Sequence, residues 1–159
     1  MPVELSEEAR KDCEKIISRY PEDWREAAIL PVLHRLQREW GYVSLEGIKM
    51  VAEMLGMPTA RAAGVMSFYP MFYKAPVGKH VIQVCSTLSC ALGGAEDLVD
   101  HLKRTLKIEV GGTTEDGNFT LLKAECIAAC EAAPAIRIDD RLYRFIGKEQ
   151  IDELLDSLD

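Results

Sequence analysis

Four of the five cysteines form two spaced pairs. Four residues separate Cys85 from Cys90, and three separate Cys126 from Cys130. Thiolates are soft ligands that bind zinc or the irons of an iron–sulfur cluster. If the two pairs meet in space, they therefore supply the complete ligand set of a metal centre.

The two pairs are expected to meet because each one follows a predicted strand. Residues His80 to Val84 form a short apolar, β-branched run that delivers Cys85 at its end. Residues Phe119 to Ala124 form a second run that delivers Cys126. The loops after these strands should lie at one edge of the same sheet, close enough to form a single site.

Several kinds of site could use these cysteines. An iron–sulfur cluster needs four sulfurs, two on each iron of a [2Fe–2S] centre. Structural zinc modules favour two-residue spacers, which differ from the spacers found here. A thiol–disulfide enzyme would more often show Cys-x-x-Cys, which is absent. The pattern favours the iron–sulfur cluster, with zinc, thiol chemistry and unlinked core cysteines as the alternatives.

The segment after Cys90 suits a negatively charged cofactor. Gly93 and Gly94 precede a helix predicted from Glu96 to Lys107. A helix N-terminus stabilises negative charge, and glycines let the backbone turn and approach a cluster closely. A plain strand-to-helix turn would explain the two glycines equally simply.

The remaining candidate ligands are predicted to be structural. Cys13 lies on the apolar stripe of the first predicted helix, where a free cysteine behaves as a small buried hydrophobe. His34 and His101 lie on predicted helices and have no cysteine or carboxylate at ligand spacing, and His80 begins a predicted strand. The sequence also contains no G-x-G-x-x-G and no P-loop, so no nucleotide site is predicted on this chain.

The composition narrows the classes of partner and compartment. The chain has 159 residues, 48% of them hydrophobic and 28% charged, and a formal net charge of −7. An acidic chain repels nucleic acid, and no apolar stretch of about 18 residues predicts membrane insertion. The first residues do not form a signal or transit peptide. We therefore expect a cytoplasmic protein, in which clustered cysteines favour metal binding over disulfides.

Hydrophobic periodicity predicts a helical region over residues 1–74. Helices are expected over residues 9–20, 24–40, 45–55 and 59–66. Ser44 is placed to cap the third helix, and Gly41 and Gly56 are placed to end the second and third. Pro31 falls early in the second helix, where a proline is tolerated or produces a kink.

Residues 75–159 predict a second domain that contains both strands and helices. The linker-like segment 75–78 is followed by strand 80–84, helix 96–107, a short strand at 108–110 and strand 119–124. Asp116-Gly117 indicates a turn, Asp139-Asp140 the tip of a hairpin, and residues 151–158 a closing helix. The predicted class is α+β, with an N-terminal helical region followed by a domain of strands and helices.

The sequence resembles a known family along nearly its whole length. The shared pattern is Cys85-x4-Cys90-x-Leu92-x-Gly94, Cys126-x3-Cys130, Ala133-Pro134 and Ile138, preceded by Leu36-Gln37, Gly41-Tyr42, Ala52-Glu53-Met54-Leu55, Pro58, Val65 and Phe68-Tyr69. It is similar to the thioredoxin-like [2Fe–2S] subunit of the NADH dehydrogenase module of respiratory complex I, NADH:quinone oxidoreductase. Related subunits serve NAD-linked hydrogenases and formate dehydrogenases, which stay open as alternative hosts.

The resemblance implies an electron-transfer subunit. Its fold would be a helical bundle followed by a thioredoxin-like domain with a mixed sheet. Cys85, Cys90, Cys126 and Cys130 would hold one [2Fe–2S] cluster, which exchanges electrons with the FMN of a partner flavoprotein subunit that also binds NADH. This chain would then carry no complete active site. It would lie at the inner face of the cell membrane as a peripheral part of the complex.

Two further features bear on the resemblance. The family usually has glycine at the position of Ala128, and alanine there argues against a left-handed turn. Asparagine is frequent where Ala132 and Asp139 stand, and such changes alter hydrogen bonding near a cluster.

The helical bundle is the expected docking element. Four of its aromatic residues are candidate anchors for a partner or packing residues of the fold: Phe68, Tyr69, Phe72 and Tyr73.

Overall fold

The chain separates into two compact units between Pro76 and Val77. The computed structural model describes residues 4–158. The first unit is helical, and the second contains a sheet with helices. Each unit has its own cluster of buried apolar side chains.

The helical unit contains four α-helices in its described residues. They are α1 (Glu7–Ile17), α2 (Ile29–Trp40), α3 (Leu45–Leu55) and α4 (Thr59–Phe68), and a 3-10 helix over Glu22–Ala28 precedes α2. The core lies where the apolar stripes of these helices face one another. It includes Ala9, Cys13 and Ile17 of α1, Val32, Leu33 and Leu36 of α2, and Val51, Ala52 and Leu55 of α3.

Local capping signals set the helix ends as predicted. The Ser44 hydroxyl accepts a hydrogen bond from the Gly47 N–H at 3.1 Å and begins α3. Gly41 and Gly56 follow α2 and α3 in the left-handed conformation, which glycine adopts without steric penalty. Ser6 caps α1 in the same way as Ser44, through the Ala9 N–H.

The second helix begins later than predicted. The expected span from Trp24 to Trp40 is divided, because Trp24 has non-helical dihedrals and the α-helix begins only at Ile29. Pro31 is therefore the third residue of α2. An N–H at that position has no acceptor within the helix, so a proline removes no hydrogen bond there.

The second unit is built around a four-stranded mixed sheet. Its strands are β1 (His80–Cys85), β2 (Phe119–Ala124), β3 (Ile136–Ile138) and β4 (Arg141–Tyr143), in the spatial order β2-β1-β3-β4. β1 pairs with β2 in parallel, whereas β1 with β3 and β3 with β4 are antiparallel. The helices are α5 (Leu88–Leu92), α6 (Ala95–Leu106) and α7 (Lys148–Leu158). This arrangement confirms the predicted α+β class with a mixed sheet.

The predicted strand at residues 108–110 is wrong. Lys107 ends α6 in the left-handed conformation, and the chain then turns. Hydrogen bonding to β2 starts only afterwards, where the Gly111 N–H donates to the Leu121 carbonyl oxygen and the Leu121 N–H to that of Gly112. Three alternating residues were too short a signal to distinguish a strand from a half-buried turn.

Candidate metal centre

Parallel pairing of β1 and β2 brings the two cysteine loops together. In the register of the two strands, Cys85 lies opposite Ala124. Because the strands run in the same direction, the loops that follow them leave the same edge of the sheet. Cys126 comes two residues after Ala124. The prediction that both loops lie at one edge is therefore confirmed.

The first loop holds two buried cysteines. Cys85 ends β1 and Cys90 is the third residue of α5, and each of these residues is 2% exposed. Thr87 lies between them as the N-cap residue of α5. The short helix turns the chain back so that Cys90 lies close to Cys85.

The two glycines after α5 have different structural reasons. Gly94 has a φ of 93°, a conformation that L side chains rarely adopt. Gly93 is constrained by space: a Cβ there would lie 3.2 Å from both the Ala133 Cβ and the Pro134 nitrogen. The glycine pair thus makes the turn into α6 and also lets the first loop pack tightly against the second.

The second loop carries two exposed cysteines and a left-handed alanine. Cys126 follows β2, and Cys130 begins a 3-10 helix over Cys130–Ala132. Ala128 has a φ of 54°, so the expectation that an alanine would avoid the left-handed conformation is wrong. That conformation points the Ala128 N–H at the Cys126 Sγ, 3.4 Å away.

Several contacts link the cysteines across the two loops. The Cys85 Sγ lies 3.9 Å from the carbonyl oxygen of Glu125 in the second loop. The Cys90 thiol and the Ile127 N–H of the second loop act to lower the pKa of Cys85. The nearby Cys130 acts to raise the pKa of the Cys90 thiol. The two loops are thus in contact at the Cys85 sulfur, and all four cysteines are free.

These contacts separate the acidities of the two buried thiols. Burial acts to raise the pKa of Cys85, but hydrogen bonds from Thr87, Cys90 and Ile127 outweigh it, and the pKa lies below its ordinary value. Burial and donation to Cys85 raise the pKa of Cys90. A metal centre that uses both sulfurs must displace the protons that they carry.

The donor set suits a two-iron cluster. A [2Fe–2S] centre divides four thiolates between two irons, two on each. Within residues 4–158, no three or more His, Cys, Asp or Glu side chains are arranged to hold a single metal ion. Two thiol pairs on adjacent loops, with the Ala128 N–H directed at the Cys126 sulfur, would supply the thiolate ligands of such a centre.

The other candidate ligands are engaged elsewhere. Cys13 is fully buried in the core of the helical unit, and burial raises the pKa of its thiol. The His34 ring packs against Phe72 with a centroid distance of 4.8 Å. His80 pairs with Asp139, and His101 with Asp152, each at 2.7 Å.

The four aromatic residues at and after the end of α4 do not share one environment. Phe72 is buried in the helical core, and Tyr69 and Tyr73 are partly buried. Phe68 is 79% exposed and makes an edge-on contact with Tyr69. The packing interpretation thus holds for Phe72, while Phe68 stays available for a partner.

Sequence reasoning missed Thr87. Its hydroxyl oxygen lies 3.3 Å from the Cys85 Sγ, so it belongs to the immediate surroundings of the site. The available signal was a threonine two residues after a candidate ligand, at the start of a helix. That signal is weak, because threonine is common at helix starts for other reasons.

Comparison with known proteins points to one family. Residues 13–159 match the family described as thioredoxin-like [2Fe–2S] ferredoxin. The chain is 40% identical over 146 residues to NADH-quinone oxidoreductase subunit 2 of Thermus thermophilus, covering 91% of this chain and 81% of that protein. It is 42% identical over 145 residues to an NADH-quinone oxidoreductase subunit of Rickettsia felis, covering 91% and 87%.

Two further matches cover smaller shares of longer proteins. NADH dehydrogenase [ubiquinone] flavoprotein 2, mitochondrial, of Dictyostelium discoideum is 36% identical over 158 residues, which are 99% of this chain and 64% of that one. A solved structure of an NAD+-reducing [NiFe]-hydrogenase in the H2-reduced state matches with a TM-score of 0.70 at 22% identity. It covers 82% of this chain and 22% of the hydrogenase chain, and it shows a shared fold.

Across residues 4–158, no helix has both the length and the apolar character needed to cross a membrane. The match to the ferredoxin family extends over nearly the whole sequence and includes both cysteine loops. The chain belongs to the family of thioredoxin-like [2Fe–2S] ferredoxins.

Proposed function

We propose that this chain is an electron-transfer subunit that binds one [2Fe–2S] cluster through Cys85, Cys90, Cys126 and Cys130. The observation that carries the proposal is the meeting of the two cysteine pairs at one edge of the sheet, in a chain of this ferredoxin family. When bound, the cluster accepts and returns one electron at a time.

The chain's own groups would stabilise the charge of the bound cluster. Four thiolates, two sulfides and two ferric ions carry a charge of −2 by formal count, and one added electron makes it −3. The Ala128 N–H lies 3.4 Å from the Cys126 Sγ, and the Thr87 hydroxyl lies 3.3 Å from the Cys85 Sγ. Such donors offset negative charge where water is excluded.

The proposed partner is a flavoprotein subunit that binds FMN and NADH. The relatives of 36–42% identity carry names of NADH-oxidising complexes, and this supports an NADH:quinone oxidoreductase as the host. In that setting the chain would lie peripherally at the inner, cytoplasmic face of the membrane. The same role in a hydrogenase or a formate dehydrogenase is the alternative.

Exposed apolar side chains beside the cysteines support docking at this edge. Leu88 and Leu92 stand one helical turn apart on α5, and both are exposed. Phe145 is also exposed, and its N–H donates to the Ala132 carbonyl oxygen at 2.9 Å, at the end of the 3-10 helix that begins at Cys130. Apolar groups left in water at a redox site suit a protein partner.

The domain roles follow from this arrangement. We assign the cluster to residues 75–159 and a supporting role in docking to the bundle of residues 1–74. Phe68 is an exposed aromatic residue of the bundle that suits such a contact. A Phe68→Ser variant should lower the fraction of the chain that co-purifies with its flavoprotein partner, whereas a Phe72→Ser variant should instead unfold the bundle.

The cofactor is tested on the anaerobically purified full-length chain. A [2Fe–2S] cluster gives a reddish-brown protein that absorbs visible light and, when reduced, an EPR signal of one spin per two irons. A colourless protein that contains one zinc ion would refute the proposal and would favour a structural zinc module. Chemical reconstitution separates a cluster lost in air from one that never bound.

The ligands are tested with two matched substitutions. Cys126→Ala should abolish or strongly alter the visible spectrum, because it removes one proposed ligand. Cys13→Ala makes the same chemical change in the core of the helical unit and should leave the spectrum unchanged. The assignment is wrong if Cys13→Ala removes the cluster or if Cys126→Ala leaves it intact.

The partner is tested by co-expression with a candidate FMN-binding subunit of the same organism. The assembled pair should show an EPR signal of the reduced cluster after addition of NADH, and the isolated chain should show none. Reduction of the isolated chain by NADH would contradict the assignment of the NADH site to the partner.

A further inference from the structure

Thr87 occupies a helix N-cap position without capping the helix. It precedes α5 with extended dihedrals, as N-cap residues do, yet its side chain makes no capping hydrogen bond. Ser6 and Ser44 show the usual behaviour in this chain, since each hydroxyl accepts a bond from an N–H three residues later. A capping hydroxyl stabilises a helix, so Thr87 forgoes a contribution that its position offers.

The Thr87 hydroxyl is instead directed at a proposed ligand. Its oxygen lies 3.3 Å from the Cys85 Sγ, within hydrogen-bonding distance for sulfur. In the free thiol either atom can donate. Once Cys85 is a metal-bound thiolate, only the hydroxyl has a hydrogen to give. Metal binding would therefore fix the direction of this bond.

Burial makes a hydrogen bond to the Cys85 sulfur stronger than one to the sulfur of Cys126 or Cys130. Cys85 is 2% exposed, so water can barely reach its sulfur, whereas Cys126 and Cys130 lie at the surface. A hydrogen bond to a charged acceptor is stronger where the local dielectric is low. The Thr87 donor belongs to a side chain, in contrast to the Ala128 N–H at the Cys126 sulfur, and it can therefore be removed by substitution.

We propose that Thr87 is a positioning residue that raises the reduction potential of the cluster by donating a hydrogen bond to the Cys85 sulfur. This inference rests on the proposed function. Reduction adds one electron and no ligand bond forms or breaks, so the cluster becomes more negative by one charge. A donor to a ligand sulfur stabilises the more negative state more strongly, and the potential rises.

The test compares hydroxyl-bearing and hydroxyl-free side chains in the cluster-loaded, full-length chain. Thr87→Val keeps the shape of threonine and removes the donor, and Thr87→Ser keeps the donor. Ser86→Ala is the matched control, because the Ser86 hydroxyl bonds the Ala124 carbonyl oxygen rather than a sulfur. Each protein is titrated with dithionite, and the EPR signal of the reduced cluster is followed against electrode potential.

Thr87→Val should weaken electron binding about tenfold, which for one electron lowers the potential by about 59 mV. Thr87→Ser and Ser86→Ala should stay close to wild type. If Thr87→Val does not take up the cluster, Thr87→Ala provides the same loss of the donor with less bulk and should show the same fall.

Three results would count against the inference. An unchanged potential in cluster-loaded Thr87→Val, or in Thr87→Ala when the valine variant holds no cluster, overturns it alone. An equal fall in Ser86→Ala also overturns it, because the effect would then belong to the loop in general. A wild-type chain that binds no [2Fe–2S] cluster overturns the proposed function, and this inference with it.

Discussion

Ala128 stores backbone strain that a glycine should release. It lies between the cysteines of the second pair with a φ of 54°, in the left-handed region. An L residue in that region is destabilised by roughly 1–2 kcal/mol, because its Cβ approaches the carbonyl oxygen. Glycine removes this strain, but its greater conformational freedom in the unfolded chain lowers stability by about 0.4–1 kcal/mol. Ala128→Gly should therefore stabilise the protein by about 0.5–1 kcal/mol.

The thermal midpoint of the cluster-loaded chain measures this effect. For a chain of this length, 1 kcal/mol corresponds to about 2–4 °C, so we expect a rise of about 1–4 °C at a fixed scan rate. The reduction potential should not change, because glycine retains the N–H that is directed at the Cys126 Sγ. Potential and stability are thus expected to respond independently at this position.

Gly94→Ala reverses the same physical change and serves as the control. Gly94 has a φ of 93°, and a Cβ there would meet no atom within 4 Å, so strain arises from the backbone alone. It should lower the midpoint by an amount similar to the gain from Ala128→Gly. If Ala128→Gly lowers the midpoint as well, the backbone at residue 128 is not left-handed and the argument fails.

Three further substitutions test separate parts of the structure. Gly93→Ala should destabilise the chain by about 1–3 kcal/mol in urea titrations, because the new Cβ lies 3.2 Å from the Ala133 Cβ and the Pro134 nitrogen. An equal loss in an Ala133→Gly background would show that the contact with Ala133 is not the cause. Leu36→Ala, in the fully buried core of the helical unit, should cost about 2–5 kcal/mol by the same assay, and a loss below about 1 kcal/mol would contradict its burial. Burial raises the pKa of Cys13, so its contribution to stability is complete below the unfolded pKa and is lost as pH rises through the folded pKa. Stability should therefore decline above about pH 9, and Cys13→Ala should flatten that decline; an identical alkaline slope in the variant would contradict this.

Features that depend on a few neighbouring residues were predictable from the sequence. The caps at Ser44, Gly41 and Gly56 were placed correctly because capping is decided within one helical turn. The prediction of a strand at residues 108–110 was wrong for a related reason. The alternation covers only three residues, and whether they pair with another strand depends on where α6 ends, which is at Lys107.

Contacts between distant segments could be anticipated only in outline. The sequence predicted that two cysteine loops share an edge, but the parallel register that sets Cys85 opposite Ala124 is a property of the folded sheet. The left-handed turn at Ala128 contradicts the local preference of alanine. The loop adopts it in the folded protein, where it directs the Ala128 N–H at the Cys126 sulfur.

The sequence by itself determined that four cysteines lie in two spaced pairs, that the first part is helical, that the second part is α+β, and to which family the chain belongs. These features depend only on residue spacing and hydrophobic periodicity along the chain. Tertiary structure decided which cysteines are buried, which N–H groups face their sulfurs, and where the Thr87 hydroxyl points. These properties depend on the packing of one loop against another. A hydroxyl can bond either a helix N–H or a cysteine sulfur only when both lie within hydrogen-bonding distance, and those distances are set by the folded structure.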